Sequence, residues 1–138
     1  MSIKIKEIHA KETYHLRHQV MWPNKPLEFV MLDNDEEGIH FGLLKDSIII
    51  SVVSLFIENN AAQFRKFATN ASEQGNGYGS MLLTHIIDVV SKDKNIDKLW
   101  CNARVDKTLF YERFGMVQTT KRFNKADIQY IIMEKNVS

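Results

Sequence analysis

Apolar and polar residues alternate over "IKIKEI", residues 3–8, with the period of a half-buried strand. Across residues 10–22, Leu16, Val20 and Met21 fall near helical spacing, and Pro23 and Pro26 then stop the helix. The acidic run "MLDNDEEGI" predicts a mobile surface loop. Residues 39–69, "IHFGLLKDSIIISVVSLFIENNAAQFRKFAT", predict three strands, with turns at Lys45-Asp46 and Asn59-Asn60. A helix is expected over residues 78–91, with Leu83, Ile86, Ile87 and Val90 on one buried face. "KLWCNA" predicts a short strand, "DKTLFYERFGM" a helix closing at Gly115, and "VQTTKRF" and "IQYIIMEK" two last strands. "KRFNK", residues 121–125, is expected at the solvated tip between those two. The order β-α-β-β-β-α-β-α-β-β predicts a single α/β (α+β) domain over residues 1–138. Its sheet would be mixed, mostly antiparallel, and flanked by helices.

Composition narrows the picture mainly by exclusion. A length of 138 residues with 44% hydrophobic and 25% charged positions is that of a soluble domain able to bury a core. The net charge of +1 gives no field to draw the chain to nucleic acid or an anionic membrane. No apolar run approaches the roughly 18 residues of a membrane span, and "MSIKIKEIHAKE" lacks the apolar stretch of a signal peptide. The expected address is cytoplasmic. The one cysteine, Cys101, has no partner for an internal disulfide and reads as a small buried strand residue. The five histidines show no paired ligand spacing, so no metal is expected.

The chemistry concentrates in "SEQGNGYGS", residues 72–80. Only six glycines occur in the chain, and three of them, Gly75, Gly77 and Gly79, stand at alternate positions before a helix. A helix start leaves four backbone N–H groups without intrahelical partners, and the macrodipole adds roughly half a positive charge. Glycines allow unusual φ and remove Cβ atoms from the approach, so the segment suits a phosphate or pyrophosphate. The Walker A pattern needs a lysine that is missing before Ser80. The dinucleotide pattern needs G-x-G-x-x-G after a first strand, whereas this G-x-G-x-G follows the fourth.

Gln74-x-x-Gly77-x-Gly79 between strand and amphipathic helix resembles the acyl-CoA loop of the GCN5-related N-acetyltransferase (GNAT) superfamily. "NARVDKTLFYERFGM" is similar to that family's Asn…Phe-Tyr-Glu-x-Phe-Gly-Phe segment, with Met116 in place of the last aromatic, and "FRKFAT" stands where the family has its cofactor-contacting strand. The resemblance implies transfer of an acetyl group from acetyl-CoA to a primary amine by direct attack. The backbone of Phe67, Ala68 and Thr69 would pair with the pantetheine arm, beside a fifth strand that splays away. The N–H groups of Gln74, Gly75, Asn76, Gly77, Tyr78, Gly79 and Ser80 would hold the diphosphate. Asn102 would touch the cofactor arm, and Lys107 would reach a CoA phosphate or face water.

Tyr111 stands at the position of the family's general acid, where a phenol of pKa near ~10 is still protonated at neutral pH; its rival role is that of a core tyrosine. Carbonyl polarisation would come from a backbone N–H of the fourth strand. Glu58 and His40 are the candidate bases, neither on a diagnostic motif. Where relatives often place a carboxylate, this chain has Arg65. The implied acceptor is a small-molecule or peptide amine, and a homodimer is compatible with the resemblance. The other readings are a catalytically silent acyl-CoA sensor and an interaction module on the same fold.

Overall fold

A computed structural model describes residues 2–138. Its strands are β1 (Ile3–Ile8), β2 (Ile39–Lys45), β3 (Ile48–Glu58), β4 (Ala61–Thr69), β5 (Lys98–Arg104), β6 (Val117–Lys125) and β7 (Ile128–Asn136). The helices are α1 (Tyr14–Leu16), α2 (Tyr78–Ser91) and α3 (Thr108–Glu112). The order along the chain is the expected one. The strands form one seven-stranded sheet in the order β1-β2-β3-β4-β5-β7-β6. β1–β2, β2–β3, β5–β7 and β6–β7 pair antiparallel, whereas β4 and β5 run parallel through Ala61↔Lys98, Ala62↔Leu99 and Gln63↔Trp100.

By its backbone contacts the chain divides into two compact units, Met1–Phe56 with Phe64–Ile86 and Ile57–Gln63 with Ile87–Ser138. In the first, α1 lies between a 3-10 turn at Ala10–Thr13 and a π turn at Arg17–Met21, so the predicted first helix is three short helical pieces. Leu16 packs there with Val52 and Ala68, joined by Ile8, Val20, Met21 and Ile49. In the second, Leu99, Cys101, Ala103, Met116, Ile131 and Met133 are buried. α2 buries Leu82, Leu83, Ile86 and Val90 completely. Ile87, expected on that face, is only half-buried, and Leu82 takes its place.

Turn chemistry displaces two expected boundaries. The β2–β3 turn sits on Asp46 and Ser47, both at positive φ, one residue later than predicted. The β6–β7 turn is Ala126-Asp127, again both at positive φ, as a two-residue hairpin of matching twist demands. "KRFNK" is therefore strand, exposed along β6, and not the tip.

β4 contains the backbone feature that positions the site. Lys66 has φ +56° in mid-strand, a conformation that non-glycine residues adopt rarely. Side chains on either side of it change phase. Phe64 and Phe67, three apart, meet edge to face with ring centres 6.3 Å apart. Arg65 lies over the Phe56 ring, and Ala68, three further on, joins the cluster of Leu16 and Val52. A regular strand would send residues three apart to opposite faces. The irregularity thus gives Arg65 and Ala68 to the α1 face, and Phe64 and Phe67 to the α2 face.

Candidate functional site

The glycine segment links β4 to α2. After β4, the Asn70 carboxamide oxygen accepts from the Ser72 N–H (3.0 Å) and hydroxyl (2.9 Å), capping a short 3-10 turn at Ala71–Glu73. Gln74 turns its side chain back, and its Nε2 donates to the Thr69 carbonyl at 3.0 Å. Asn76 Nδ2 donates to the Glu73 carbonyl, and Lys45 bonds the Glu73 carboxylate at 3.1 Å. Gly75 and Gly77 have φ of +86° and +83°, where an L side chain is strained. A Cβ at either would meet nothing within 4 Å, so the space in front of the loop is open. Gly79 faces the other way, its absent Cβ 3.4 Å from Phe67 Cζ and 3.5 Å from Thr69 Oγ1. Here the missing side chain lets α2 lie against β4. The Met81 N–H to Gly77 carbonyl bond, 3.0 Å, opens the helix, so the N–H groups just after Gly77 belong to its first turn.

On the α1 face of the same unit stands a polar network that the sequence reading missed. Arg17 is wholly buried and bidentate on Asp35, with Nη1–Oδ2 and Nη2–Oδ1 both 2.9 Å. Nη1 also donates to the Val30 carbonyl (3.0 Å) and Nη2 to Ser54 Oγ (2.9 Å). His40, a candidate base, is buried with Nδ1 at 2.6 Å from Ser54 Oγ and Nε2 at 2.8 Å from the Asp35 carbonyl. A carbonyl can only accept, so Nε2 donates to it, while Nδ1 shares a hydrogen bond with the Ser54 hydroxyl, which also accepts from Arg17. Both imidazole nitrogens are thereby engaged.

Burial pushes the Asp35 carboxyl up, but the Arg17 guanidinium and the Leu32 N–H (2.9 Å) outweigh it and hold its pKa below the ordinary value. Asp35 thus corrects the expectation for "DNDEE": it is 4% exposed and lies in a 3-10 turn, Asp35–Glu37, tied to the protein. The available signal was a charge on an apolar stripe, because Arg17 follows Leu16 and precedes Val20 by three.

In the second unit, Tyr111 lies in α3, fixed by a Schellman closure. The Gly115 N–H bonds the Glu112 carbonyl (3.0 Å), and the Met116 N–H bonds the Tyr111 carbonyl (3.3 Å) across Gly115 at φ +86°. The Phe110 ring sits 5.2 Å from that of Tyr111 and 5.3 Å from that of Phe114. All three rings keep partial exposure. Desolvation, then the neighbouring Cys101 and against it Arg104, raise the Tyr111 pKa well above the usual phenol value. Cys101 is itself buried and pushed up to about 12, which leaves it an inert thiol. Asn102 on β5 is exposed and opposite Ile132, Lys107 is exposed just before α3, and Glu58 is exposed at the end of β3. Among the described residues no cluster of three His, Cys, Asp or Glu side chains could hold a metal, and no helix is long and apolar enough to cross a membrane.

Comparison with known proteins bears on the family and the fold. The model of the acetyltransferase (GNAT) domain family matches residues 6–137. YitI of Bacillus subtilis (strain 168), an uncharacterized N-acetyltransferase, is 26% identical over 145 residues, across 98% of this chain and 97% of that protein. A crystal structure from Lactobacillus plantarum, assigned to the N-acetyltransferases, has a TM-score of 0.87 at 19% identity, with 100% of both chains covered. A GNAT family acetyltransferase of Elizabethkingia anophelis, solved with acetyl-CoA bound, has a TM-score of 0.75 at 18% identity, covering 97% of each chain. At such identities the structural likeness speaks for the fold.

Proposed function

The chain belongs to the acetyltransferase (GNAT) domain family, and on that premise we propose that it moves an acetyl group from acetyl-CoA to a primary amine by direct attack. The observation that carries this reading is the open, left-handed glycine pair before α2. A side chain at Gly75 or Gly77 would fill the space a diphosphate needs, and the space is clear. Acetyl-CoA would bring the acetyl thioester, whose C–S bond breaks as the amine nitrogen bonds the carbonyl carbon.

The protein's share of the work falls to a few groups. Gln74, Gly75, Asn76, Gly77, Tyr78, Gly79 and Ser80 present backbone N–H groups to the phosphates. Phe67, Ala68 and Thr69 offer β4 backbone to the amide arm. The left-handed Lys66 marks the stretch of β4 from which a backbone N–H would polarise the acetyl carbonyl oxygen. Asn102 and Lys107 contact the rest of the cofactor. Tyr111 gives its proton to the departing sulfur, and its raised pKa keeps that proton in place at every physiological pH. His40 has no nitrogen left over for the amine's proton, and Glu58 is a solvated carboxylate. The acceptor therefore enters as free amine, with water taking the proton.

The test is release of CoA thiol across a panel of primary amines, alongside thermal melting with and without acetyl-CoA. Thiol release above the hydrolysis blank supports the reading. Stabilisation without release from any amine would make the chain a binder only, and neither effect would remove the cofactor altogether.

A further inference from the structure

We propose that Arg65 receives a carboxylate carried by the acceptor amine, so that the substrates are amino acids or peptides with a nearby free carboxylate rather than plain amines. This rests on the acetyltransferase reading above and names the substrate class for that same site.

The argument begins with charge. Three charged side chains meet on the α1 face of the first unit: Arg17, Asp35 and Arg65. Asp35 is already spent, since one oxygen takes Nη2 of Arg17 and the other takes Nη1 and the Leu32 N–H. Arg65 is left half-buried, with no hydrogen-bond acceptor and no ion-paired carboxylate among the described residues, its guanidinium carbon 5.9 Å from the Phe56 ring centre. Stacking on a ring satisfies the face of a guanidinium and leaves the five N–H donors on its edge unmet. Arg17 adds a second unmet donor, a wholly buried Nε with no partner. Arg17, Arg65 and Asp35 together therefore hold one net positive charge in partly desolvated surroundings. Burial, then the charge of Arg17, pull the Arg65 pKa down, with only Asp35 acting the other way. A carboxylate is the group that reverses both penalties, because it matches the fork with two parallel hydrogen bonds.

Position supplies the second half. Arg65 directly precedes Lys66, where β4 breaks phase, and the three residues after that are assigned to the thioester arm. The guanidinium thus projects from the sheet face opposite α2 at the level assigned to the acetyl group. A carboxylate held there tethers an amine a few bonds away. Lys in place of Arg would keep the charge but lose the fork.

Two measurements on the full chain decide the matter. In the first, thiol release is followed with free amino acids, their carboxamides, and short peptides with free or amidated C-termini. The acids should exceed the matched amides in kcat/KM by on the order of tenfold to a hundredfold. Arg65→Gln should erase that preference, and Arg65→Lys should keep part of it. Whether free amino acids or peptides lead tells the source of the carboxylate. In the second, melting is followed with saturating N-acetyl amino acids and their amides, which needs no turnover. The acids should stabilise the wild-type chain and leave Arg65→Gln unmoved. Equal rates for acids and amides, or equal stabilisation in wild type and Arg65→Gln, overturns the proposal. An absence of thiol release from any amine sinks the acetyltransferase reading, and the melting arm still decides this one.

Discussion

Single atoms set the reactivity expected of Tyr111. Removing its hydroxyl in Tyr111→Phe should lower kcat by about 10²–10⁴-fold, the usual range for a lost general acid, with the acetyl-CoA melting shift intact. Its raised pKa has a signed consequence. The phenol stays protonated through the ordinary phenol range, so kcat/KM should climb with pH as the amine deprotonates and should show no falling limb near ~10. A falling limb there would place another group in the acid's role. Gly77 offers a complementary test. At φ +83° an alanine is strained, so Gly77→Ala should cost on the order of 1 kcal/mol in urea denaturation. It should also weaken stabilisation by acetyl-CoA, because a new methyl group enters the open space.

Elements bring in interactions that no single residue discloses. The Arg17–Asp35 pair ties the π turn to the 3-10 turn before β2, and Ser54 and His40 close the ring. Arg17→Ala strands a buried carboxylate, so about 3–5 kcal/mol of stability should be lost, measurable as a shifted urea midpoint. The pH dependence follows from the depressed Asp35 pKa: its contribution is complete above the ordinary carboxyl value of 3.8 and disappears as pH falls from there through the folded value. Acid titration of the melting temperature checks it, and Asp35→Asn should flatten that limb.

The same scale shows what the chain makes legible. Element order, the α2 boundaries and the closure at Gly115 follow from short-range rules of period and cap. Turn positions at Asp46-Ser47 and Ala126-Asp127 do not, because non-glycine residues take positive φ there under the pull of the sheet. Asp35 read as loop because sequence spacing hides a partner 18 residues away. The broken phase at Lys66 has no local signal at all. Tertiary context imposes it.

At the scale of the whole molecule, β3, β4 and α2 each have residues in both compact units. An element melts as a unit, so thermal unfolding should show one transition with coincident far-UV and near-UV signals; two separated transitions would refute a single domain over residues 1–138. Saturating acetyl-CoA should raise that transition by linkage, by about 2.7 kcal/mol at a hundredfold excess over Kd. Such a shift is expected for the chain as built and should shrink in the Gly77 variant.

The left-handed residue in β4 also constrains how this strand can change length. Excising Lys66 would restore an even pleat and leave every side chain beyond it on its present face, Phe67 and Thr69 toward α2 and Ala68 toward Leu16 and Val52. The strand thus has one place where it can lose a single residue without turning its core inside out. Deletion of Lys66 should therefore cost less stability in urea than deletion of Ala68.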